Sequence, residues 1–180
     1  MLFRSGEITD SIDEGTPTDV ADSAMDPLGF PMTPLNLLGL VGPGVALHVA
    51  QTLHDNLGER YKVSPTVAKL VSENIKTFYI KNEDGSLTVN PAALAILQQG
   101  SKASTGEEVR KRALTALASE AKMMLDEGVV SSPAEIDLCM LLGAGWPMHL
   151  GGILPYLDRE GISLEACGAR FHQPGVASLN

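Results

Sequence analysis

Apolar residues recur at every fourth position from Pro43 to Leu57, at Val45, Val49, Leu53 and Leu57, and Gly58 stands where such a helix would stop. Val109, Ala113, Leu117, Ala121 and Leu125 repeat the spacing ahead of Gly128. Both stretches predict amphipathic helices packed along one face. Start signals are equally plain. "TPTD" offers Thr16 as a cap, Pro17 at the first helical position and Asp19 in the first turn. "SPAE" (Ser132, Pro133, Glu135) and "TGEE" (Thr105, Glu108) read as capping boxes, and Ser64 and Asn90, each before a proline, start two more helices. "FYIKNEDGSLTVN" breaks the helical pattern. Phe78 to Ile80 and Leu87 to Val89 flank an Asp-Gly turn, which predicts a short hairpin.

The order of these elements occurs twice. "GFPM" begins at Gly29 and "GWPM" at Gly145, each leading into an apolar segment. Aligned without a gap, Phe30 meets Trp146, Met32 meets Met148, Leu37 meets Ile153 and Leu38 meets Leu154; upstream, Pro17 meets Pro133 and Val20 meets Ile136. "DEG" precedes both, at 13–15 and 126–128. Agreement in order and spacing implies a duplicated helical unit. The expected organisation is an all-α chain with a first copy over 1–97, a polar linker over 98–106 and a second copy over 107–180. In the corner itself glycine lets one helix stop and proline keeps it from continuing, while the aromatic residue and Met fill the angle.

Composition narrows the function classes. With 44% hydrophobic, 19% charged and only 4% aromatic residues, an ordinary globular core must be built mostly from aliphatic side chains and Met. A net charge of -9 opposes non-specific nucleic-acid binding and attraction to anionic membranes. Cys139 and Cys167 show no metal spacing, and Cys139, inside an apolar run, is expected to be buried. His48 and His54 are six apart and do not share a helical face, so no metal pair is expected. No signal peptide or membrane-length apolar stretch is apparent, and the expected location is cytoplasmic.

"DEGVVSSPAEIDLCMLLGAGWPMHLGGILPYLDREG" (126–161) resembles the C-terminal domain of 3-hydroxyacyl-CoA dehydrogenases, more narrowly that of fatty-acid β-oxidation proteins that join an enoyl-CoA hydratase to the dehydrogenase. "GFPMTPLNLLGLVGPGVALHVAQTLHDNLGERY" (29–61) resembles the first copy of the same domain, and "KTFY" (76–79) the segment that follows it. The resemblance implies two helical copies that pack on an NAD-binding domain and close the acyl-CoA cleft, with NAD as the parent enzyme's cofactor and a thiolase subunit or a second copy of the chain as further candidate partners. It also implies a C-terminal portion without its own chemistry. No GxGxxG occurs, none of the four histidines lies in the family's catalytic context, and the chain reads as starting just after the family's Asn-Arg pair. Within the first corner, Thr33 replaces a usual glycine, Asn36 a common Glu and Gly39 a common Asp.

Candidate contact residues follow from that resemblance. Phe30, Pro31, Met32, Thr33, Leu35 and Leu37 would meet acyl-CoA or the neighbouring domain, with Phe30, Met32, Leu35 and Leu37 forming an exposed apolar face. His149, beside Gly151 and Gly152, would either bond to substrate or the neighbouring domain, or sit partly buried as a helix cap. Arg110, Lys111 and Arg112 read as a solvated basic face, Trp146 as core, and no catalytic residue is assigned. The rival reading is a free-standing helical assembly module.

Overall fold

Prolines and caps decide where the helices begin. A computed structural model describes residues 2–97 and 100–176, which leaves Gln98 and Gln99 of the expected linker outside. The elements run α1 (Leu2–Glu14), α2 (Thr18–Asp22), a 3-10 segment (Ser23–Leu28), α3 (Pro34–Val41), α4 (Pro43–Leu57), α5 (Pro65–Ser72), β1 (Tyr79–Lys81), β2 (Leu87–Val89), α6 (Pro91–Ile96), α7 (Gly106–Asp126), α8 (Pro133–Gly143), a 3-10 turn (Met148–Leu150), α9 (Ile153–Arg159) and α10 (Ile162–Cys167). The all-α architecture with one hairpin is as expected. Its strands pair antiparallel with Ile80 opposite Thr88, one residue later than read on the first strand. Two compact units form. One holds Leu2–Met25 and Met32–Val109; the other holds Asp26–Pro31 and Arg110–Asn180.

In the first unit α1 packs on α2, α3 and α5, and α4 on α3 and α5, around Ile8, Ile12, Met25, Leu35, Leu38, Leu70 and Phe78. In the second, α9 packs on α8 and α10, and Trp146, Ile153, Leu154 and Leu157 are buried. Ser64 accepts the Val67 amide and Asn90 the Ala92 amide, as their positions predicted. Thr105 and Glu108 form the reciprocal box: the Thr105 amide donates to Glu108 at 2.7 Å, and the Glu108 amide to the Thr105 hydroxyl at 3.3 Å. The other two start signals shift. The Thr16 hydroxyl accepts the Ser104 amide instead, so α2 begins at Thr18. Glu135 bonds the amide and hydroxyl of Ser131, while Ser132 makes no side-chain cap.

Two burial expectations fail for geometric reasons. A strict four-residue spacing drifts about 40° per step around a helix of 3.6 residues per turn. Val45 and Leu57 therefore turn outward, at 55% and 48% exposed, while Pro43 and Ala46 are buried. Cys139 is exposed because α8 buries Ile136 and Asp137, and position 139 lies nearer the opposite face. Leu138 and Leu142 extend that outer face.

Replacing Ser64 or Asn90 by Ala should each cost about 1 kcal/mol in urea unfolding, the usual value of an N-cap. Acid should act through Glu108. The Thr105 amide, then its hydroxyl, hold that carboxyl below its ordinary value. Its folded value is thus depressed, so its stabilisation is present above the ordinary glutamate range and lost as pH falls through the lowered value. Melting temperatures of Glu108→Gln should accordingly fall less on acidification than those of the wild type.

Candidate functional site

A buried aspartate lies under the start of the second helix in each copy. Asp22, at the end of α2, accepts the Leu35 amide through Oδ1 at 2.8 Å, and Oδ2 takes the Tyr79 hydroxyl. Asp137, in α8, accepts the Leu154 amide through Oδ1 at 2.8 Å, and Oδ2 stands 3.0 Å from His172 Nε2. The first amides of a helix have no partner within it, so each carboxylate supplies the missing acceptor. Each also ties down a later segment through a ring group. Gly152 is required beside this pair, since a Cβ there would stand 2.6 Å from Asp137 Cγ.

These bonds correct the alignment of the copies. They make Leu35 equivalent to Leu154, not Leu38 as gapless matching had it. Met32 to Leu35 is three residues and Met148 to Leu154 is six, the extra length forming the turn at Met148–Leu150 and Gly151. Upstream, Pro27 keeps the first copy from continuing α2 and leaves a 3-10 segment where α8 runs on. In the corrected register Gly39 corresponds to Asp158. That third buried carboxylate accepts the Ser163 hydroxyl and the amides of Phe171 and His172, at 3.0 and 2.9 Å, tying the end of the described chain to α9.

The two corners themselves meet. Trp146 is buried, donates from Nε1 to the Gly151 carbonyl at 3.0 Å, and takes Phe30 edge-on at 5.7 Å and Tyr156 at 5.4 Å. Burial, with the Glu160 charge, pushes the Tyr156 phenol above its ordinary value. Phe30 and Trp146 occupy the same place in the repeat, so equivalents touch, as in self-complementary contacts. The His149 ring lies over Gly29, whose φ of 76° and lack of a Cβ allow the approach; an added Cβ would stand 2.9 Å from His149 Cε1.

Phe30 is thus half-buried against Trp146, and Pro31 and Met32 are exposed. Thr33 caps α3, accepting the Asn36 amide at 3.4 Å and the Asn36 side-chain amide at 2.9 Å, which gives both departures from the family pattern a structural use. Leu35 and Leu37 are buried, at 0% and 7% exposed. The expected apolar face cannot include them: the Asp22 cap draws that end of α3 inward. His149 is exposed and lies in a 3-10 turn, so it is not the partly buried helix cap. Sequence reasoning passed over Asp22, Asp137 and Asp158. An acid in an apolar helix run, with another helix starting shortly after it, was the available signal. Among the described residues no group of three His, Cys, Asp or Glu could hold a metal ion, and no single helix is long and apolar enough to cross a membrane. His54 bonds the Tyr61 carbonyl through Nδ1 at 2.9 Å.

Asp22→Ala and Asp137→Ala should each destabilise the protein by about 1–3 kcal/mol, the cost of a buried amide left without an acceptor. Tyr79→Phe should cost about 1 kcal/mol. Urea unfolding of the three variants beside Asp26→Ala, an exposed control, checks both values.

Comparison with known proteins bears on this arrangement. Residues 4–78 match the sequence model of the 3-hydroxyacyl-CoA dehydrogenase C-terminal domain. Fatty acid oxidation complex subunit alpha of Shewanella amazonensis is 32% identical over 159 residues, covering 82% of this chain and 22% of the relative. The protein of the same description from Shewanella putrefaciens matches with the same identity and coverage. The chain therefore spans about a fifth of the length of these curated relatives. The crystal structure of 3-hydroxybutyryl-CoA dehydrogenase from Escherichia coli superposes with a TM-score of 0.66 at 18% identity, covering 98% of this chain and 57% of that one, and speaks for the fold alone. The resemblance read from the motifs stands: residues 4–78 match a 3-hydroxyacyl-CoA dehydrogenase C-terminal domain, and the curated relatives that match over most of this chain are described as fatty acid oxidation proteins.

Proposed function

We propose that the chain is the tandem helical C-terminal portion of an NAD-dependent 3-hydroxyacyl-CoA dehydrogenase, joined in the parent protein to an enoyl-CoA hydratase. The observation that carries this is the family match over residues 4–78 together with the same aspartate-capped corner in both copies. In this reading the helical copies pack on the dinucleotide-binding domain and close the acyl-CoA cleft. Met32 and Pro31 are the exposed members of the first corner left to make that contact. The parent reaction is oxidation of a 3-hydroxyacyl-CoA to the 3-ketoacyl-CoA, with NAD accepting the hydride.

The residues present do not fit NAD. Pyrophosphate needs a glycine-rich turn between a strand and a helix N-terminus, and this sequence has no such fingerprint. The strands of the described residues form an antiparallel hairpin. No step of the hydride transfer is therefore assigned to these side chains. Their part is to hold shape. Asp22 and Asp137 set the angle at each corner, and Trp146 fills the junction where Phe30 arrives.

The purified chain should neither bind NAD in the micromolar range by calorimetry nor form NADH from a 3-hydroxyacyl-CoA. Saturable binding or turnover would sink this reading. The reading frame around the gene separates the proposal from a free-standing assembly module, which would have no dehydrogenase or hydratase coding sequence in frame.

A further inference from the structure

The hairpin turn carries the chain's one Asp-Gly pair, Asp84–Gly85, and no Asn-Gly occurs. Such a pair is chemically labile, because glycine leaves the backbone nitrogen that follows the carboxyl uncrowded. At Gly85 an added Cβ would meet nothing within 4 Å; the φ of 84° is what calls for glycine there. Both residues are exposed to water. The two Asp-Ser pairs, Asp10–Ser11 and Asp22–Ser23, lie in helical segments instead.

The Asp84 carboxylate is held in place. Its Oδ1 accepts the Ser86 amide at 2.9 Å and the Ser86 hydroxyl at 2.6 Å. Asn82 Nδ2 donates to Ser86 Oγ at 2.8 Å, which leaves the hydroxyl proton for Asp84. The Gly85 amide donates to the Asn82 carbonyl at 3.0 Å. The Ser86 hydroxyl, then its amide, hold the Asp84 carboxyl below its ordinary value.

We propose that Asp84 isomerises spontaneously to isoaspartate and that Ser86 restrains the reaction in the folded hairpin. The Gly85 nitrogen gives up its proton and bonds to Asp84 Cγ, a Cγ–O bond breaks and water leaves, which closes a succinimide ring. Water then adds back at either ring carbonyl. One opening restores aspartate; the other carries the backbone through Cγ and leaves the α-carboxylate free. No oxidant or cofactor takes part, and the mass of the chain is unchanged. Both requirements of ring closure are opposed here: Asn82 engages the nitrogen's proton, and Ser86 favours the carboxylate, a poorer electrophile than the acid. The product adds a backbone carbon to a turn between strands paired from Tyr79–Val89 to Lys81–Leu87.

The test ages the full chain beside a free peptide of residues 79–89, at neutral pH and physiological temperature. In the protein, isoaspartate at 84 is read from the tryptic peptide 82–102 as a chromatographic split without change of mass. It should form in both samples, more slowly in the protein. Ser86→Ala should speed it about three- to tenfold, the rate equivalent of one hydrogen bond. Ser86→Thr keeps the hydroxyl and should age like the wild type. So should Thr88→Ala, which removes a 3.3 Å bond to Asn82 within the hairpin but leaves Asp84 held. No isoaspartate at 84, a protein that ages as fast as the peptide, Ser86→Ala ageing like the wild type, or either control variant as fast as Ser86→Ala would each overturn the proposal.

Discussion

A helix that starts inside a protein brings amides that nothing in its own turn can accept. Both corners meet this constraint in the same way, with a carboxylate from the preceding helix set under the second residue of the next. Because one oxygen holds the new helix and the other holds a ring group from a later segment, a single side chain sets the angle at the corner and the return of the chain. Buried, such a group must have all its bonds made, which leaves little room to slide. The close approach at Gly152 and the inward turn of Leu35 follow from where these two aspartates sit, and Asp158 fixes the path of residues 171 and 172.

What could be read from residue order was largely local. Ser64, Asn90, Thr105 and the Asp-Gly turn act within a few residues of themselves, and each does in the structure what its type suggests. Thr16 and Ser132 have the same type but other uses, because a distant amide or a neighbouring serine competes for the bond. The repeat was legible through its prolines and aromatics. Its register beyond the corner was not, since an insertion is invisible until something fixes both ends, and here those fixed points are hydrogen bonds across thirteen and seventeen residues. Leu35 and Leu37 show the same gap. Hydropathy marks them as apolar without saying whether the apolar partner lies inside or outside the unit.

Buried carboxylates and capped corners play a structural role, holding one helix to the next. Thr33 and Asn36 illustrate how such a role tolerates change. At the two positions where the chain departs from the family pattern read in its motifs, this pair builds a helix cap from each other, and α3 is kept. Divergence between the copies is of the same kind: Tyr79 and His172 are different side chains placed to reach the same atom of their aspartate.

Phe30 and Trp146 touch as counterparts, yet they belong to one polypeptide. Two separate subunits meeting through such a contact would part on dilution. Joined by the chain, these rings see one another at an effective concentration that does not depend on how much protein a cell makes. The linkage also removes the demand that both sides be identical, since a mutation in one copy no longer appears on both sides of the junction. A phenyl ring opposite an indole, at a point where symmetry would impose the same residue twice, is what that freedom permits.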